Sequence, residues 1–262
     1  MKKSIFITIF CFLLISFSNI SHASELTDKA DSAYNAQNYR AALTLYNQVL
    51  DTQGSSSELY YNIGNAHYRL GSTGKAVLNY ERALRLNAAN KDARANLEFV
   101  NSTIKGMPED GSSFIDHIHN NIKSMFTTTG WSIATLCLFL LLLTCVALYL
   151  FAGKNSLRKT GFYSGFVVIV LFLYAFVIAV QTSSAPNRTN EGIVIRSNAK
   201  LTSSPGTAKS KGDKTISIPE GSKVEILDSL STPDDPVATM WYNVGLGRGT
   251  QAWIDAGDIE RI

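Results

Sequence analysis

Cysteine and histidine, the side chains that most often hold metals or act as nucleophile and base, are scarce: three cysteines and four histidines in 262 residues. Cys11 lies in an N-terminal apolar run, and Cys137 and Cys145 lie in a second apolar stretch. On a helix those two would stand about 12 Å apart along the axis, beyond the ~7 Å Cα separation that a disulfide needs. Outside the apolar runs there is no thiol, which excludes disulfides and zinc–thiolate sites there. His117-Ile118-His119 suggests a metal pair, but residues two apart on a helix point about 160° from each other. They share an ion only if the segment is strand. Gly245-Leu246-Gly247-Arg248-Gly249 precedes a strand pattern and no helix, so a β-turn explains it better than a phosphate cradle. No catalytic residue, metal site or cofactor is expected, and the chain reads as a non-enzyme.

The aromatic residues are more informative, because they recur. Residues 26–50 and 60–84 align at a period of 34, pairing Tyr34 with Tyr68, Ala42 with Ala76, Tyr46 with Tyr80, Val49 with Ala83 and Leu50 with Leu84. That period marks a repeated helix hairpin. Gly64 and Ala76 let two helices approach closely, while Tyr80 and Leu84 fill the gap between them. The first copy has Ala30 at the glycine position. Residues 90–105 form one more amphipathic helix with Ala93, Leu97 and Val100 on one stripe, a cap for the last apolar face.

The second copy, with Tyr60, Ile63, Gly64, Asn65, Ala66, His67, Tyr68, Ala76, Tyr80 and Ala83 in register, resembles the tetratricopeptide repeat. The resemblance implies that proteins or peptides bind along the concave face made by the first helix of each pair. It places Asp31, Tyr34 and Asn35 of the first unit there, with Tyr61, Asn65, Tyr68 and Arg69 of the second. Each tyrosine reads equally well as packing. Where one subclass of that family clamps a peptide carboxylate, this chain has Thr27, Asp31, Asn62, Asp92 and Asn96. Two carboxylates in that set would repel such a ligand.

Charge and hydropathy say where these elements sit. Residues 1–23 combine Lys2 and Lys3, an apolar run and Ser21-His22-Ala23, the pattern of a secretory signal peptide cut after Ala23 or kept as an anchor. Residues 131–152 and 162–180 carry no charge and are long enough to span lipid. Between them, residues 153–161 hold Lys154, Arg158 and Lys159 and no acid. The positive-inside rule places that loop in the cytoplasm and both flanking segments outside. Segment 24–130 has ten basic and eleven acidic residues, and segment 181–262 has nine and ten. Neither carries the basic footprint of a nucleic-acid binder. Residues 106–113 form a turn-rich linker, and Phe114, Ile115, Ile118, Ile122, Met125 and Phe126 share one helical face, as in a helix lying on the outer leaflet. Gly161 and Gly165 form a candidate helix-packing pair.

From Glu191 onward the texture is short alternating runs between Gly, Pro and Asp turns, which predicts five strands in a small β-barrel. The succession Pro219-Glu-Gly-Ser-Lys-Val-Glu-Ile-Leu227, Trp241-Tyr-Asn-Val244, Ala252-Trp-Ile-Asp255 resembles the bacterial SH3-like domain. That implies protein or cell-wall (peptidoglycan) binding, with Trp241, Tyr242 and Trp253 as surface candidates. Buried barrel positions are the more natural reading of both tryptophans.

The expected architecture is a multidomain membrane protein. It comprises a signal peptide (1–23), an all-α repeat domain (24–105), a linker and interfacial helix (106–130) and a transmembrane helical hairpin (131–152 and 162–180). A small all-β SH3-like barrel (181–262) follows. That order resembles the BatE family of bacterial aerotolerance operons. The resemblance implies a scaffold in the bacterial inner membrane with both soluble domains in the periplasm. Its expected partners are membrane proteins with von Willebrand A domains and a MoxR-type ATPase, in envelope or oxidative-stress tolerance. The alternative is a peptidoglycan-binding or sensing protein led by the SH3-like domain.

Overall fold

The computed structural model describes residues 25–106, 114–184, 190–205, 215–231, 240–246 and 250–262. The expected signal peptide, most of the 106–113 linker and most of the glycine turn at 245–249 lie outside those residues. The helical segment comprises α1 (residues 25–35), α2 (Tyr39–Gln53), α3 (Ser57–Arg69), α4 (Thr73–Leu86) and α5 (Lys91–Thr103). Side-chain caps set three of the starts: Asn38, Ser56 and Asn90 accept from the backbone N–H of Ala41, Leu59 and Ala93. Such caps satisfy donors that the first helical turn leaves unpaired.

The two hairpins pack as their period requires. Ala30, Ala42 and Tyr46 are buried in the first, and Ile63, Ala76 and Tyr80 in the second. A Cβ on Gly64 would lie 2.7 Å from Cε1 of Tyr80, so glycine sets the approach of α3 to α4.

α6 (Phe114–Lys123), α7 (Thr128–Phe151) and α8 (Asn155–Ser184) follow. α7 and α8 are long and apolar enough to cross a membrane, with mean hydropathies of 2.7 and 2.5. Only 6% and 17% of their most apolar windows are buried, whereas a soluble core helix would be mostly covered. They pack closely on each other: a Cβ on Gly161 would lie 2.8 Å from the Cys145 carbonyl oxygen and 2.9 Å from the Tyr149 nitrogen. The predicted nine-residue loop is shorter than expected. α8 begins at Asn155, so Arg158 and Lys159 sit on its first turns, and Arg158 donates to the Tyr149 carbonyl at the end of α7. α6 packs on the far end of this hairpin, where Trp131 is buried with Ile178 and donates to the Lys123 carbonyl. Ile115, Ile118, Met125 and Phe126 remain exposed.

The C-terminal segment is small and antiparallel. β1 (Glu191–Val194), β4 (Lys223–Ser231), β5 (Met240–Gly245), β6 (Gln251–Asp255) and β7 (Ile259–Arg261) form a sheet in the order β6-β5-β4-β1-β7. β2 (Ala199–Leu201) and β3 (Ile216–Ile218) pair separately and join β6 through Thr202 and Trp253. That makes seven strands among the described residues where five were expected. β2, β3 and β7 are three residues each, too short to show alternation.

The helical and β segments are not separate. Successive strand residues point to opposite faces. Val194 enters the β core with Val224 and Val244, while Ile193 is buried in a cluster with Val77, Leu78 and Val100 of the repeat. A Cβ on Gly74 would lie 2.5 Å from the Val194 carbonyl oxygen. Around this contact Arg82 pairs with Glu260 at 2.9 Å, Arg85 with Glu191 at 2.8 Å and Lys223 with Glu81 at 3.2 Å. Burial acts against the charges of Glu191 and Lys223, but their ion pairs outweigh it. The Glu191 carboxyl is held below its ordinary range and the Lys223 ammonium above.

Gly64→Ala should destabilise the repeat by about 1–3 kcal/mol, since the buried, hydrogen-bonded Tyr80 ring cannot yield. Urea denaturation of the detergent-solubilised chain, followed by far-ultraviolet ellipticity, measures this. An unchanged midpoint would refute the packing role.

Candidate functional site

Of the first helices of the repeat, α3 meets α5 through Asn65–Asn96 and Tyr68–Phe99, and Tyr34 of α1 lies within electrostatic reach of Tyr61 and Arg69 of α3; these helices carry the residues expected at a binding surface. Two of these are engaged inside the repeat. Tyr46 Oη donates to Asp31 Oδ1 at 2.6 Å, and Tyr80 Oη donates to Asn65 Oδ1 at 2.7 Å. The two bonds are the same bond one period apart. Asn96 Nδ2 also donates to Asn65 Oδ1, at 2.8 Å, so this one oxygen links α3, α4 and α5. Asn96 and Asp31 are thus tied up at two of the positions where related repeats clamp a carboxylate. Burial, the hydrogen bond to Asp31 and its negative charge together raise the Tyr46 phenol, so it stays a donor.

The aromatic members each meet a further ring. Tyr34 meets Tyr39 edge-on at 5.2 Å between ring centroids, and the Arg69 guanidinium lies over the Tyr39 ring at 5.1 Å. Tyr61 leans on Tyr80, and Tyr68 meets Phe99 edge-on at 6.1 Å. Tyr34 and Tyr61 are half-buried, whereas Asn35, Tyr68 and Arg69 are exposed. Phe99 is the most open of the rings at 56% exposure. A large aromatic left that open beside others is the usual material of a protein-binding patch. Sequence reasoning did not single out Phe99 or Tyr39. Phe99 could have been found, since it is the lone aromatic on α5 and falls off the Ala93–Leu97–Val100 stripe.

The other candidates divide. In the β segment Trp241 is buried, Trp253 is half-buried beside Thr202, and Tyr242 lies under the Arg261 guanidinium at 5.1 Å. They do not form one exposed stacking surface. His119 lies between α6 and α8, its ring nitrogens 3.3 Å from Tyr174 Oη and 3.2 Å from Gln181 Oε1. The side chain of His117 lies outside the described residues. Lys154, Arg158 and Lys159 cluster at the turn between α7 and α8 and are exposed.

His67 sits at the end of α3, facing Lys75 of α4 and Glu260 of β7. Its Nδ1 is buried without a hydrogen-bond partner among the described residues. Burial, reinforced by Lys75, lowers its pKa from the ordinary 6.5 to about 4.

Residues 27–96 match the tetratricopeptide repeat family. The match covers the helical segment and supports the tetratricopeptide reading of its 34-residue period. No curated protein matches the chain. Repeats of this family suggest a protein-interaction scaffold, which fits the exposed Tyr68 and Phe99 of this face.

Because His67 is neutral when folded, the unfolded chain binds more protons between pH 6.5 and about 4. Stability of the repeat should therefore be full above pH 6.5 and fall as the pH drops toward 4. His67→Gln should flatten that slope in melts taken across the range. A slope unchanged by the substitution would assign it elsewhere.

Proposed function

We propose that this chain is a membrane-anchored scaffold that binds a protein partner on the α1–α3–α5 face of its repeat. Both the repeat and the β segment would lie on the extracytoplasmic side of a bacterial inner membrane. The observation that carries the reading is the division of surfaces on the repeat. Its α4 face is covered by the β segment, while Tyr34, Tyr68, Arg69 and Phe99 are left on the other side.

The membrane placement draws on independent features. The repeat precedes α7, the β segment follows α8, and the two share a core. Only a hairpin that enters and leaves on one side is compatible with that contact. Lys154, Arg158 and Lys159 stand at its other end, where the positive-inside rule favours the cytoplasm. The N-terminal signal pattern supports the same orientation. The resemblance of the β segment's sequence to a bacterial SH3-like domain, and of the whole order to the BatE family, extends the proposal. Partners there would be membrane proteins with von Willebrand A domains and a MoxR-type ATPase, in envelope or oxidative-stress tolerance.

Crosslinking in intact cells followed by gentle solubilisation should recover a partner with the unmodified chain. Combined Tyr68→Ala, Arg69→Glu and Phe99→Ala, all at exposed positions, should abolish recovery while leaving the melting temperature within a few degrees. Retained recovery would move the binding site off this face. Peptidoglycan co-sedimentation of both proteins would instead favour the wall-binding reading.

Orientation is tested separately, in a cysteine-free background. Cysteines placed at the exposed positions Gln48 and Ser231 should react with a membrane-impermeant maleimide from outside the inner membrane. One placed at Lys159 should react only after the membrane is broken. Any other pattern overturns the topology.

A further inference from the structure

We propose that the β segment is the terminal cap of the helical repeat, and that the two fold as one cooperative unit about α4. Three features of the contact point this way. Ile193 of β1 is fully buried, and it is buried with Val77, Leu78 and Val100 of the repeat, not with the β core. Ile104, Ile195 and Ile262 close the same cluster. Removing either segment would therefore open the other's core to water.

The second feature is the sheet edge. β7 is the last strand of its sheet, and an edge strand offers unpaired main-chain groups. Two arginines of α4 occupy them: Arg82 donates to the Arg261 carbonyl at 2.7 Å, and Arg85 to the main-chain oxygen of Ile262 at 2.9 Å. The Gly74 N–H donates to Glu220 Oε1 at 2.7 Å, so the start of α4 is also capped from the β segment.

The third is written in the repeat itself. α2 and α4 occupy equivalent places one period apart, yet they differ along one stripe. Arg40, Thr44, Gln48 and Asp51 of α2 are exposed. Their counterparts on α4 are Gly74, Leu78, Arg82 and Arg85. Gly74 and Leu78 are buried, and the two arginines are bonded to the β segment. Spaced by four, four and three, these positions lie on one helix face. The second repeat is specialised on the side where a further helix hairpin would otherwise stack, and a stacked array needs its end covered.

The chain has three tryptophans, so Trp131→Phe leaves only Trp241 and Trp253 of the β segment as fluorophores. On heating that protein in detergent, tryptophan emission and helical ellipticity should change at midpoints within about 2 °C of each other, as one two-state unit requires. Val100→Ala, which removes atoms from the shared cluster on its helical side, should lower both midpoints together. Arg82→Glu should do the same, and Arg82→Glu combined with Glu260→Arg should recover more than half of that shift. Should Val100→Ala not fold, Arg82→Gln replaces it with a smaller joint shift expected. Separated midpoints in the Trp131→Phe chain, a helical variant that leaves the tryptophan midpoint unmoved, or no recovery on charge exchange would each overturn the proposal.

Discussion

One strand belongs to two cores, and much of the molecule depends on it. β1 turns Val194 toward the β core and Ile193 toward the helices. Because strand side chains alternate, β1 faces its own sheet core on one side and the repeat on the other, and α4 lies between α3 and the sheet. α4 in the middle is buried at five consecutive positions, Ala76 to Tyr80, which no helix lying on a solvent-facing surface could be. The same contact joins the chain before the apolar hairpin to the chain after it, so the hairpin's two outer ends are held by one body.

The relative size of the forces explains why this contact has both an apolar centre and a charged rim. A fully buried isoleucine contributes about 1.5–3 kcal/mol. An exposed ion pair contributes about 0–1 kcal/mol. Ile193 therefore outweighs either the Arg82–Glu260 or the Lys223–Glu81 pair, each of which keeps one member partly in solvent, Glu260 at 43% and Lys223 at 41% exposure. The rim sets which way the sheet lies on α4; the isoleucines hold it there. Arg85, the least exposed of the cations, bridges a carboxylate and a main-chain oxygen and comes nearest to doing both.

Part of this was legible in the residues. The 34-residue period paired Tyr46 with Tyr80, and the structure gives both hydroxyls an acceptor one period apart, on Asp31 and Asn65. Gly64 against Tyr80 was legible for the same reason, since the repeat demands a close approach at one place. Phe99 was not, because amphipathic reading looks for the buried stripe and passes over what lies off it. The short strands β2, β3 and β7 were invisible, as three residues cannot display a period. The basic turn was drawn too long, because charges on a helix's first turn look the same in sequence as charges in a loop. Nothing in a linear reading revealed the docking. Its trace, the stripe from Gly74 to Arg85, becomes visible only when α4 is compared with α2.

By itself the sequence determined the local order: two helix hairpins, a further helix, two long apolar helices with a basic turn, and a β segment. These follow from periods, caps and uncharged runs, which act over a few residues and need no distant partner. Which faces are covered and which stay open was a tertiary decision. Ile193 and Val77 are 116 residues apart, and each is an ordinary apolar residue until the other is opposite it. The scarcity of cysteine and histidine had already directed attention away from chemistry and toward surfaces. The folded chain then divided those surfaces, placing one side of the repeat under the sheet and leaving Tyr68, Arg69 and Phe99 on the other.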